Sequence, residues 1–180
     1  MIRPMAEQWQ APTQSADGAS AADWYGGTWK WQSSQIGLRA AVPLLAELAG
    51  AGVVGADAED AYWRGASRER DWDVSGNGRK VDVKRAWLHD EGTLGFGGPT
   101  RGGYDETVVD DILLLHLEDV DVTTDHEYAP DGRVRFETTG TPRAAYRVPV
   151  AKMNAIMQRD GASKVRWLAS LEALAPFQVR

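Results

Sequence analysis

The stretch DWDVSGNGRKVDVK, running from Asp71 to Lys84, decides how the rest of the chain is read. Asn77-Gly78 at its centre is a strong hairpin signal, because a type I′ turn needs positive φ at both central residues. With those two residues as the loop, Gly76 faces Arg79, Ser75 faces Lys80, Val74 faces Val81 and Asp73 faces Asp82. One step further out, Trp72 faces Val83 and Asp71 faces Lys84. Side chains alternate with period two, so Trp72, Val74, Val81 and Val83 share the expected core face, and Asp71, Asp73, Asp82 and Lys84 share the other.

Two aspartates directly opposite each other have Cβ atoms roughly 4.5 to 5.5 Å apart, and like charges in that relation destabilise a sheet. A hard divalent cation compensates directly, since Mg²⁺ takes oxygen ligands and is held by one or two carboxylates plus waters. Lys84, two residues from Asp82 on the same face, then sits beside any phosphate oxygen. The plain alternative is a solvated hairpin face on which Asp71 and Lys84 form a cross-strand ion pair.

Outward from the hairpin, IGLRAAVPLLAELAG (Ile36 to Gly50) carries Leu38, Val42, Leu45 and Ala49 at helical spacing. It ends in glycines suited to a helix terminus, with Pro43 inside it. AYWRG reads as a short strand. HDEGTLGFGGPTRGG, from His89, reads as a long glycine-rich loop with a suspicion of function. DDILLLHLEDVDV is a near-continuous apolar run suited to a strand buried on both faces. GRVRFETTGTPRAAYRVPV reads as a further hairpin, and VAKMNAIMQRD and KVRWLASLEALA as closing helices. The order of helix, strands and helices gives a mixed α/β or α+β domain over residues 35–180. Residues 1–34 read as an arm tied down by Trp24, Tyr25, Trp29 and Trp31.

The chain has 180 residues, is 43% hydrophobic and contains no cysteine, so one ordinary core is expected without disulfides, thiolate zinc or a cysteine nucleophile. A signal peptide and a membrane span are not apparent, so a cytoplasmic protein with no membrane partner is expected. The net charge of -6 argues against a uniformly basic nucleic-acid surface but leaves room for a local basic cleft. His116 reads as a sheet histidine, and His89 and His126 stand alone. P-loop, EF-hand and GxSxG patterns are absent.

The D-x8-D-x-K pattern of Asp73, Asp82 and Lys84 resembles the PD-(D/E)xK, or restriction-endonuclease-like, nucleases. In that family a helix precedes a mixed sheet, the first acid lies on one strand and the (D/E)xK on the next. The resemblance runs loosely from the helix at Ile36 to the strand at Ile112–Leu117, less than half of the chain. No proline precedes Asp73, and the second acid is Asp where Glu is commoner. The resemblance implies a mixed central sheet flanked by helices and a Mg²⁺-dependent endodeoxyribonuclease, with Mn²⁺ able to substitute, in restriction or defence against foreign DNA. Asp73, Asp82 and the Val83 carbonyl then hold the metal, and Lys84 orients the attacking water. Arg79, Lys80, Arg85 and Arg101 become candidates for DNA phosphates, and Trp87 for base stacking. Glu47 is the candidate acid on the preceding helix, with Gln35 or Glu59 as substitutes. Double-strand cleavage implies a symmetric homodimer. A non-catalytic nucleic-acid-binding or protein-interaction module on the same fold is the alternative.

Overall fold

The computed structural model describes the backbone of residues 9–10, 29–63, 71–100, 102–128 and 134–180. Asn77 and Gly78 have φ of 54° and 74°, the left-handed pair that a type I′ turn requires. They join β2 (Val74–Gly76) to β3 (Arg79–Asp90). The register is Val74 to Val81, Ser75 to Lys80 and Gly76 to Arg79, as the turn chemistry dictates.

β3 is the organising strand of a mixed sheet. It pairs antiparallel with β4 (Thr93–Gly97) and parallel with β5 (Asp111–Tyr128), in register from Val81 opposite Asp111 to Ala86 opposite His116. With β1 (Trp9–Gln10), β6 (Val134–Pro149), β7 (Gln158–Arg159) and β8 (Arg166–Ser170), the order is β1-β6-β5-β3-β4-β8-β7, and β2 pairs with β3 beside that path. The helices are α1 (Trp29–Gly50), α2 (Ala58–Trp63), α3 (Val150–Ile156) and α4 (Leu171–Leu174). The fold is therefore mixed α/β. No helix among the described residues is long and apolar enough to cross a membrane.

The chain divides into two compact units, Met1–Ala40 with Asp119–Thr141 and Ala41–Glu118 with Pro142–Arg180. In the first, β1 pairs with β6 through Trp9 to Phe136 and Gln10 to Arg135. The second holds the hairpin and the core. α1 starts at Trp29, so the expected arm boundary after Ser34 falls inside this helix; residues 1–8 and 11–28, with Trp24 and Tyr25, lie outside the described residues. Its described buried residues are Ala40, Ala41, Val42, Leu44, Leu45 and Leu48, while Pro43 and Glu47 face solvent. Gly52, at φ 75°, ends it in a Schellman arrangement, with Val53 N–H bonded to Leu48 O and Gly52 N–H to Ala49 O.

One sheet face is covered by α3. There Ala86, Leu94, Phe96, Ile112, Leu114, Val148 and Trp167 pack with Val150 and Met153. β5 is buried on both faces from Asp111 to Leu117, as its apolar run implies.

Four readings are corrected. The AYW of AYWRG is helical, not a strand, and Arg64 and Gly65 lie outside the described residues: Ala58–Trp63 forms a helix launched from a turn in which Ala58 N–H bonds Gly55 O and Asp57 holds the N-terminal position. The loop from His89 contains β4, and two of its glycines make room for tryptophans. A Cβ on Gly95 would lie 2.8 Å from Trp87 Nε1, and one on Gly98 2.5 Å from Trp167 Cδ1. The segment from Val134 is one strand, not a hairpin. KVRWLASLEALA supplies β8, because Trp167 and Ala169 alternate inward opposite Phe96 and Leu94; only then does Ser170 cap the short α4 through Ala173 N–H.

Candidate active site

Along β3, β2 ends opposite Val81 and β4 begins opposite Ala86. Between them the strand edge has a gap, and the charged cluster lies in it. The ladder does not continue to pair Asp73 with Asp82. Asp73 N–H donates to Val81 O at 3.0 Å, and the Asp73 carboxylate turns back to accept the Val83 N–H at 2.8 Å. A side chain thus takes the place of the missing strand. Strict alternation ends here, so Trp72, expected with Val74 and Val83, instead packs against the cluster of Ala86, Ile112 and Leu114.

Asp82 and Lys84 share the face of Ile112 and Leu114, their register partners on β5. Lys84 Nζ bonds both Asp82 oxygens, at 3.1 and 3.0 Å, and the Asp73 carboxyl lies within hydrogen-bonding reach of Asp82. The three residues are thereby brought together. Lys84 is bound to Asp82, while Asp71 is exposed. Asp73 is buried, and the Asp82 and Lys84 side chains are 13% and 31% exposed. Solvent therefore meets the cluster mainly at Lys84.

Burial pushes the Asp82 carboxyl up to about 7, with Asp73 adding to the rise and Lys84 opposing it. Burial works against the Lys84 ammonium, but Asp82 and Asp73 outweigh it and hold it charged, above its ordinary value. Two carboxyls this close attract a cation, and oxygen donors of this kind suit Mg²⁺ or Mn²⁺. The backbone of Val83 points its N–H at Asp73, and in a strand the carbonyl of the same residue faces the same neighbour, so this carbonyl is directed into the gap as well.

The other candidates are distributed differently. Glu47 pairs with Arg180 at 2.7 Å, and among the described residues no third His, Asp or Glu joins Asp73 and Asp82, Glu59 included. The Gln35 side chain and Arg101 lie outside the described residues. Arg79 is committed to Asp111, with Nε and Nη2 at 2.8 and 2.7 Å. Arg147 binds the same carboxylate together with Val53 O and Gly76 O, and the two arginines hold Asp111 below its usual range despite its burial. Arg85 falls on the Val83 face, opposite to Lys84, 5.8 Å from the Trp87 ring centre. Lys80 is exposed and shares the Asp82 face.

Tyr104 was not among the residues picked out from the sequence. It follows the glycine-rich segment, and Asn154 of α3 grips its backbone twice, accepting from Tyr104 N–H at 2.8 Å and donating to Tyr104 O at 2.9 Å. Gly103 makes this grip possible, since a Cβ there would lie 2.8 Å from Asn154 Oδ1. Burial, then Asp82 and Asp73, push the Tyr104 hydroxyl far above its ordinary value. The signal for it was the loop itself, conspicuous by length and glycine content. No protein-family model matches the chain, and a search of curated proteins finds no match either.

Proposed function

We propose that this chain is a metal-dependent phosphodiesterase acting on DNA, built like the PD-(D/E)xK nucleases. The supporting observation is the meeting of Asp73, Asp82 and Lys84 in the gap on β3, on a mixed sheet preceded by helix α1. Asp73, Asp82 and the Val83 carbonyl are the residues that would hold Mg²⁺ or Mn²⁺. When bound, the metal supplies an acidified water and polarises the phosphate. Lys84, bound to Asp82 in this structure, would turn to the substrate and offset the negative charge that develops on the phosphate. Lys80, on the same face, takes a neighbouring phosphate. Double-strand cutting by such a site needs two copies across the duplex.

The closure of Lys84 on Asp82 favours a second reading, a non-catalytic module in which the three residues hold the gap shut. Plasmid cleavage separates the two. The expected result is nicking or linearisation with Mg²⁺ or Mn²⁺, none in EDTA, and loss in Asp82→Ala and Lys84→Ala variants that retain the wild-type circular dichroism. Light scattering on the same samples reports whether linearisation accompanies dimerisation. An inactive wild type with both metals leaves the non-catalytic module.

A further inference from the structure

Tyr104 presents a combination that packing alone does not explain. Its ring lies against the apolar cluster of the Asp82 face, which includes Ile112 and Leu114, the register partners of Asp82 and Lys84. Its hydroxyl is sealed from solvent and has no hydrogen-bond partner among the described residues. A buried hydroxyl left unpaired costs roughly 1 to 3 kcal/mol, and phenylalanine would fill the same space without that cost. The backbone beneath it is also held more firmly than a surface loop requires. Asn154 clamps both polar groups of Tyr104, and Asp105 organises the following turn through Thr107 N–H and Oγ1.

Resting on the nuclease reading above, we propose that the Tyr104 hydroxyl is a substrate-contacting donor, giving its hydrogen bond to a non-bridging oxygen of the phosphodiester that Lys84 and a cation held by Asp73 and Asp82 would bind. Lys84 is the most exposed member of the cluster, so a phosphate would meet it first and reach the Tyr104 hydroxyl, sealed in the resting protein, as Lys84 swings aside. Lys84 would then meet the phosphate as a charge and Tyr104 as a directional donor.

The test compares wild type with Tyr104→Phe and Asn154→Ala in three measurements. These are thermal stability, affinity for a short fluorescein-labelled random-sequence DNA duplex in Ca²⁺, and cleavage of that duplex in Mg²⁺. Tyr104→Phe is expected to melt at or above the wild-type temperature while its affinity in Ca²⁺ falls about tenfold, the loss of one hydrogen bond to a charged oxygen. Asn154→Ala, which displaces Tyr104 without altering it, is expected to lose affinity in the same direction. A Tyr104→Phe variant that binds and cleaves like wild type overturns the proposal while leaving the nuclease reading intact, and one that melts well below wild type assigns the hydroxyl to structure. A wild type that neither binds the duplex in Ca²⁺ nor cleaves it in Mg²⁺ overturns the nuclease reading and this proposal with it.

Discussion

Asp82 carries a proton balance that can be followed by stability. Its carboxyl has an ordinary value of 3.8, and in the folded protein burial and Asp73 push it up to about 7. Between these values the native protein holds a proton that the unfolded chain has released. The stabilisation is therefore fully present below about pH 4 and is lost as pH rises through about 7. In EDTA, Asp82→Asn, which mimics the protonated group, is expected to melt above wild type at neutral pH and to converge with it near pH 4. Saturating Mg²⁺ is expected to raise the wild type and leave the variant unmoved, because only the carboxylate gains from the cation. Thermal unfolding across this range decides the matter, and a wild-type-to-variant difference that does not change with pH would show Asp82 to be ordinary.

At the scale of elements, Arg147 on β6 ties together three others. Its guanidinium reaches Val53 O beyond α1, Gly76 O at the end of β2 and Asp111 at the start of β5. Gly76 admits it, since a Cβ there would lie 2.9 Å from Arg147 Nη1. Arg147→Met leaves two carbonyls short of a donor and Asp111 with Arg79 alone, so urea unfolding is expected to show a loss of about 3 to 5 kcal/mol. A loss below about 1 kcal/mol would place the junction's strength elsewhere. Arg147 was not legible as a latch, because its partners are 36 to 94 positions away. The hairpin was legible because its information is local: Asn77 and Gly78 dictate the turn, and the turn dictates the register. β4 and β8 were missed for a different reason. Glycine and alanine in LGFG and WLAS suggest a loop and a helix, and only the cross-strand tryptophans reveal why small residues are needed in a sheet.

For the molecule as a whole, the candidate triad was readable from the sequence because its members lie within a dozen positions of one turn. The surroundings were not, because β5, α3 and the glycine-rich segment bring Ile112, Asn154 and Tyr104 from far along the chain. Trp72 also shows where local reasoning ended: the pairing rule held from Gly76 back to Val74 and failed at Asp73, where a side chain replaced a strand. The gap on β3 has a consequence for the timescales on which the sheet opens. An amide in the middle of a central strand ordinarily exchanges its hydrogen only when the whole protein unfolds. The Val83 amide is guarded instead by one carboxylate on the bend before β2. Asp73→Ala is expected to release this amide to solvent hydrogen by local opening while the amides of β5 keep their global protection, a contrast readable by exchange-detected NMR. If Val83 stays as slow as its β5 neighbours, another group guards it. In the wild type, one side chain closes the central strand at the place where the candidate residues are gathered.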